Sequence, residues 1–360
     1  MSEGRERKTI HGFLVGEMKG ENAAQSPAYL YTTGKTTVHD DPLALDAFRL
    51  DPENAPMSYN NWADLDNALQ TLTHVAGVFK KNSGTVPHIA VGVKHGSVCG
   101  AGVAAVVVGK DSAVQKMVAG DPLALMGGTV LMNFGLDEEG ANILSGHLLA
   151  VGTKKRFFDC IAAPAVSLGA KRMLERKNGR CRLLTNAALE GAGAACLDAT
   201  ERFRYIRGGF LVQPNYTFLF DWRDPLLLSN DGPVMMGAEE DCFLAWAVGA
   251  TSKSNTVTIV YRGRVLGNAV SQQSRVGAAE LAVARARDAG HEKDLLGAVA
   301  YSDSFFPFPD GLTVLLEAGI KTVLATRGSM NDDAVLATAA KYGARFITLP
   351  DEYARGFYGH

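Results

Sequence analysis

Little in this sequence points to metal, membrane or nucleic acid. The five cysteines, Cys99, Cys160, Cys181, Cys196 and Cys242, are scattered with no C-x-x-C spacing, which argues against a thiolate zinc site. An odd number of them, four in apolar surroundings, fits reduced thiols packed as core filler in a cytoplasmic protein. No apolar run is long enough to cross a bilayer; the richest, Val103 to Val108, is far too short. The opening MSEGRERKTIHG is charged, lacks the apolar stretch of a secretory signal, and reads over Met1 to Arg7 as a tail. Positive charge is not in excess either. With 36 Lys and Arg against 38 Asp and Glu the net charge is −2, unlike the basic balance of a nucleic-acid binder. Neither a P-loop nor an HExxH helix occurs.

What is present is ordinary globular material, 47% hydrophobic and 21% charged. At 360 residues it is long for one core, so two domains or two fused halves are expected. Strands and helices alternate. Apolar spacing predicts a helix over 63–79, with Asn60 or Asn61 as its cap, then a strand over 88–93 and a helix over 101–118. Further strand and helix segments run to residue 178, and a weak, glycine- and alanine-rich stretch follows. From residue 238 a helix, a hairpin with its turn at Arg262-Gly263, a helix over 272–287 and a strand–helix series close the chain. Such alternation predicts a layered α/β architecture with a parallel or mixed sheet.

The most informative stretch is His88 to Gly102, HIAVGVKHGSVCGAG. A short, β-branched strand runs into two adjacent bases, Lys94 and His95, followed by a loop holding Gly96, Gly100 and Gly102. Neighbours on a strand face opposite ways, so both bases reach one site only if the backbone turns there. Glycines permit that turn, and the ends of buried strands are where α/β proteins bind ligands. The bland alternative is a solvated strand end. Gly100-x-Gly102-x-x-Ala105 imitates the dinucleotide fingerprint, but six residues separate strand from glycine where the fingerprint has none.

A second stretch, Ser302-Asp303-Ser304-Phe305-Phe306-Pro307-Phe308-Pro309-Asp310, follows a strand as a rigid aromatic loop. It is either a buried turn or an aromatic wall for a planar ligand. Ser271-Gln272-Gln273-Ser274-Arg275 is a polar cluster at a helix start, where simple capping is the plainest role.

Taken in order, Lys94-His95 with Cys99-Gly100, Gly120-Asp121-Pro122 with Gly127-Gly128, Asp159 in DCIAAP, Ser254-Asn255, Gln272 to Arg275, SDSFFPF at 302–308, and Arg355 with Phe357 resemble a known family. It is the transformylase part of the bifunctional purine enzyme AICAR transformylase/IMP cyclohydrolase. The likeness covers nearly the whole chain from about residue 12, with no counterpart here to the cyclohydrolase part. It implies two fused cytidine-deaminase-like three-layer halves, at 12–175 and 236–360, with a helical connecting segment at 176–235. It also implies formyl transfer from 10-formyltetrahydrofolate to the 5-amino group of an aminoimidazole carboxamide ribonucleotide, in a homodimer whose sites lie between subunits. On the matching residues, His95 corresponds to the catalytic base, Lys94 to its partner, and Asn255 to a residue that holds the reacting groups. Asn61, Gly127, Asp159, Phe305 and Arg355 match substrate contacts. Gln273, Ser274, Phe305, Pro307 and Phe308 match the folate surroundings.

The chemistry agrees with those roles. An aromatic amine beside a carboxamide is a poor nucleophile, so a base must take its proton as it attacks. Histidine suits that task near neutral pH, and the lysine can stabilise the tetrahedral oxyanion. No metal is required, in keeping with the missing H-x-E and P-C-x-x-C signature of zinc deaminases. The departures fall elsewhere. Where the family has arginine and tyrosine toward the nucleotide, this chain has Met18 and Lys19. Lys19 can still meet a phosphate, as a point charge. Ser97-Val98 replace an Asn-Pro, and Gly311 replaces an asparagine. Substrate identity is therefore more open than reaction type. The alternatives are the same transfer to another amine acceptor in specialised metabolism, or a non-catalytic binding paralogue.

Overall fold

A computed structural model describes residues 12–32, 41–230 and 238–359; the tail Met1 to Arg7 and the final His360 lie outside them. The strands β1 (Phe13–Met18) and β2 (Ala28–Thr32) pair antiparallel as a separate ribbon. After the short β3 (Arg49–Leu50) comes α1 (Tyr59–Ser83), longer at both ends than its apolar spacing predicts. Its caps are the reason. Ser58, not Asn60 or Asn61, is the N-cap: its Oγ accepts the Asn61 amide while the Asn61 side chain accepts the Ser58 amide. Gly84, at φ 77°, ends the helix in the left-handed conformation open to glycine.

The strands β4 (His88–Lys94) and β5 (Ser97–Ala104) follow, and here the sequence reading is corrected. Gly100 and Gly102 lie in β5 rather than in a loop, and α2 (Lys110–Gly120) starts nine residues after the helix expected at Ala101. A Cβ on Gly102 would run into the Ala113 carbonyl, and one on Gly100 into that of Met117. These glycines therefore let α2 lie close on the strand. The dinucleotide-like spacing is a packing feature.

Next come β6 (Thr129–Met132), α3 (Glu138–Gly146), β7 (Cys160–Ala163), α4 (Leu168–Leu174) and β8 (Arg182–Thr185). A second free ribbon, β9 (Glu201–Ile206) with β10 (Gly209–Pro214), precedes β11 (Leu228–Ser229). The segment expected to be helical is thus mostly extended in its described part, with only short 3-10 turns. Asn186 and Asp198 accept nearby backbone amides there and satisfy the chain without a helix. The second half runs α5 (Ala238–Ala250), β12 (Val257–Tyr261), β13 (Arg264–Ala269), α6 (Arg275–Asp288), β14 (Val299–Ser302), α7 (Pro309–Glu317), β15 (Thr322–Arg327), α8 (Asp332–Lys341), β16 (Arg345–Pro350) and α9 (Asp351–Ala354).

Among the described residues the main sheet has twelve strands, ordered β11-β16-β15-β14-β12-β13-β5-β4-β6-β7-β8-β3. The order contains a duplication. In each half a hairpin pairs antiparallel with the next strand, which leads two parallel ones: β5-β4-β6-β7-β8 and β13-β12-β14-β15-β16. The halves meet antiparallel where Arg264 pairs with Gly102. Three layers result. Val91, Val93, Leu131, Val260 and Leu324 face one way, against α1 and α5. Ala90, Val130 and Ile161 face the other way against α2, α3 and α4, as Ile259, Ala300 and Val323 do against α6, α7 and α8.

The middle of α1 carries His74 into this core, stacked 5.5 Å from the Tyr216 ring, with Nδ1 donating to the Gln70 carbonyl at 2.7 Å. Burial disfavours the imidazolium and pushes the pKa from 6.5 down to about 4. Between those values the unfolded chain binds a proton that the folded one refuses. This contribution to stability is therefore intact above pH 6.5 and is lost as the pH falls toward 4, on the order of 3 kcal/mol in all. Urea unfolding at pH 7 and pH 4.5 should show the loss, and His74→Leu should flatten it. An equal slope in both proteins would clear His74 as the cause.

Candidate active site

The hairpin β4–β5 is closed by two residues only, His95 and Gly96, at φ 52° and 69°. Lys94 pairs with Ser97 across it. Two successive positive φ angles form the tight turn whose twist matches that of a strand pair. This turn, not the glycine run beyond it, sets the two bases at the end of central strands. His95 is exposed and Lys94 half-buried. Lys94 Nζ donates to the Met126 carbonyl at 2.6 Å, beside Gly127. Gly127, at φ 76°, is held through its amide to the Phe157 carbonyl at 2.7 Å, and the Asp159 amide donates to Gly128 at 3.1 Å. The ends of β4, β6 and β7 thus gather Lys94, Gly127 and Asp159.

Charged partners frame this cluster. Asp159 accepts from Arg176 Nη1 at 2.8 Å, and the same guanidinium lies 5.2 Å from the Phe157 ring. From α1, Asp64 Oδ1 accepts the Gly96 amide at 2.7 Å. Burial raises the Asp64 pKa; the Gly96 amide and the neighbouring His95 act against that rise. Lys19, just past β1, accepts the Tyr59 amide on its carbonyl at 3.0 Å, which sets it beside the start of α1 and Asn61. The Asn61 Oδ1 is used by the cap. Cys99 is no nucleophile: burial pushes its thiol up to about 12.

The remaining predicted residues form a second group. Asn255 exchanges backbone hydrogen bonds with Gln272, and its Nδ2 donates to the Gln272 carbonyl at 2.9 Å. Its Oδ1 accepts from Arg275 Nη2 at 2.7 Å. Arg275 Nη1 bonds Asp303, which also accepts the Thr256 amide at 3.1 Å. Ser274 caps α6 through the Gly277 amide at 3.1 Å, so its hydroxyl serves the helix. The Arg355 guanidinium lies 5.9 Å from the Phe305 ring and pairs with Asp351. Burial opposes ionisation of Asp351, yet hydrogen bonds from Thr326, Arg355 and Ser304 hold its pKa below the usual value. Phe308 is exposed, and the Pro307 carbonyl accepts from Asn331 at 2.6 Å. The first group's hydrogen bonds run through α1 and the β4, β6 and β7 ends, the second's through β12, α6, β14 and the C-terminal turn.

Three polar partners of these residues are assigned no role by the sequence alone. Arg176 reaches Asp159 from 17 residues away with no periodic signal, and Asp303 meets Arg275 only because β14 pairs with β12. Asp64 had a signal: it lies three residues after Asn61, on the same helix face.

Fold and site define a duplicated three-layer α/β protein with a lysine–histidine pair presented on a strand-end turn. A family model described as AICARFT/IMPCHase bienzyme matches residues 15–285, and the chain belongs to that family. Among similar proteins is the bifunctional purine biosynthesis protein PurH of Acidithiobacillus ferrooxidans, 32% identical over 333 residues, covering 91% of this chain and 56% of that protein. PurH of Brucella ovis is 31% identical over 346 residues, 94% of this chain and 58% of its own. The chain thus spans a little over half the length of these curated relatives.

Proposed function

We propose that this chain moves a formyl group from 10-formyltetrahydrofolate to the 5-amino group of an aminoimidazole carboxamide ribonucleotide. The observation that carries the reading is the Lys94–His95 pair, held on a two-residue turn in a chain of this family. As the amine attacks the formyl carbon, the C–N bond forms and His95 takes the amine proton. Lys94, with one N–H on Met126, has donors left for the developing oxyanion. Collapse of that tetrahedral adduct breaks the bond between the formyl carbon and the folate nitrogen, and that nitrogen takes the proton from His95. Gly127 and Asp159 line the acceptor's side of the site. Asn255, steered by Arg275, orients the reacting groups. Phe305 and Phe308 with Arg355 offer flat apolar area and a cation, which suits a planar, anionic folate. The resemblance assigns Gln273, Ser274 and Pro307 to the same folate.

Two exposed ribbons support a homodimer. Leu14 and Tyr31 on β1–β2, and Tyr205, Phe210 and Leu211 on β9–β10, are exposed apolar side chains on two-stranded elements that are marginal alone in water. A second copy covers them. The free cysteines support a cytoplasmic setting.

Turnover with 10-formyltetrahydrofolate, offered the ribonucleotide and its dephosphorylated nucleoside, tests the reading; no transfer to either would refute it. A phosphate at Lys19 predicts that Lys19→Ala weakens the nucleotide by roughly 1–3 kcal/mol and spares the nucleoside. Met18, in place of an arginine, favours a second reading in which the acceptor lacks the phosphate; the nucleoside would then react better and Lys19→Ala would be silent. Sedimentation of active enzyme as a 38.3 kDa species would rule out the dimer.

A further inference from the structure

The two halves repeat one device. In the first, Asp64 on α1 accepts the Gly96 amide at 2.7 Å, and the His95 amide beside it helps favour the carboxylate's charged form. In the second, Asp241 on α5 accepts the Arg262 and Gly263 amides at 2.7 and 2.6 Å. The turns share a backbone: φ is 52° and 69° at His95 and Gly96, and 51° and 72° at Arg262 and Gly263. Each hairpin also shifts register just before its turn, between Gly92 and Val93 and between Ile259 and Val260. The two central amides of such a turn have no partner in the strand ladder, so an outside acceptor must satisfy them. A carboxylate on the helix beneath takes that place in both halves, accepting both amides in the second and the Gly96 amide in the first.

What differs is the cargo. The second turn presents Arg262, which lies over the Tyr261 ring and has no part in the proposed chemistry. The first presents the base. The geometry points to Asp64 as the positioning residue of the formyl transfer, anchoring the His95–Gly96 turn to α1 so that the imidazole meets the amine at one place. Asp64 faces two other titratable groups, His95 itself and Asp159. It touches the backbone of the turn and acts through it. Displacing a reacting group by about 1 Å lowers a rate by about 100-fold, so a loosened turn is costly to kcat and not to binding.

This inference rests on the formyl-transfer reading, and its test separates the two. Steady-state kinetics and amide hydrogen exchange are measured on wild type, Asp64→Ala, Asp64→Asn and Asp241→Ala. Asp64→Ala should lower kcat by about 10- to 100-fold with little change in either KM, and speed exchange at His95 and Gly96. Asp64→Asn keeps an oxygen for the amides and should recover most of kcat and of the protection. Asp241→Ala should speed exchange at Arg262 and Gly263 and leave kcat as it was. Unchanged exchange at His95 and Gly96 in Asp64→Ala, or an equal kcat loss in Asp241→Ala, would overturn the positioning role. An inactive wild type would overturn the formyl-transfer reading instead, and the exchange measurement would still decide whether Asp64 anchors the turn.

Discussion

His95→Ala should lose formyl transfer by roughly two to four orders of magnitude, the usual contribution of a general base, while the acceptor still binds. The expectation rests on position. His95 is exposed on a two-residue turn, so its side chain adds little to the core, and its removal should leave folding largely intact. Its φ of 52° does matter, because alanine enters the left-handed region less readily than histidine or asparagine. His95→Asn is the matching control: it suits the turn but offers no base. Both variants should fall together in kcat, with thermal midpoints near wild type. Transfer at the wild-type rate in His95→Asn would show that another group takes the proton.

Arg275→Met should destabilise the protein by about 3–5 kcal/mol, the usual result of leaving a buried charge without its partner. Asp303 is 0% exposed and Arg275 9%. The guanidinium is spent on three acceptors: Asp303, the Thr256 carbonyl at 3.2 Å and Asn255 Oδ1 at 2.7 Å. Methionine fills much of the volume and answers none of them. Lysine, a single ammonium without the planar fork, should recover only part. If the loss is electrostatic, adding Asp303→Asn to Arg275→Met should return some stability, because the orphaned charge is then gone. A loss under about 1 kcal/mol in urea unfolding would mean that solvent reaches this pair. The same substitution releases Asn255, so transfer should weaken at temperatures where the protein is still folded.

Much of the second half was legible because its signals are local. The turn at Arg262-Gly263, the apolar run of α5 and the strand–helix series from β14 to β16 each sit within a window of residues that contact one another. The first half misleads most at β5. β5 is buried on both faces, so it shows no polar–apolar alternation, and its glycines read as a loop. Only the helix lying on them explains their lack of side chains.

The sequence by itself determined the layered α/β class, the pair of bases at a strand end, and the ordered motifs that place the chain in its family. Those features are carried by neighbours in the chain, and neighbours are what a sequence displays. Tertiary structure alone decided which distant groups complete the site. Asp64 meets the Gly96 amide across 32 residues, Arg275 meets Asp303 across 28, and Asn268 of one half donates to the Val98 carbonyl of the other across 170. Such pairings depend on which helix lies under which strand and in what register. Each is set by the burial of apolar faces over the whole sheet, and no single segment encodes it.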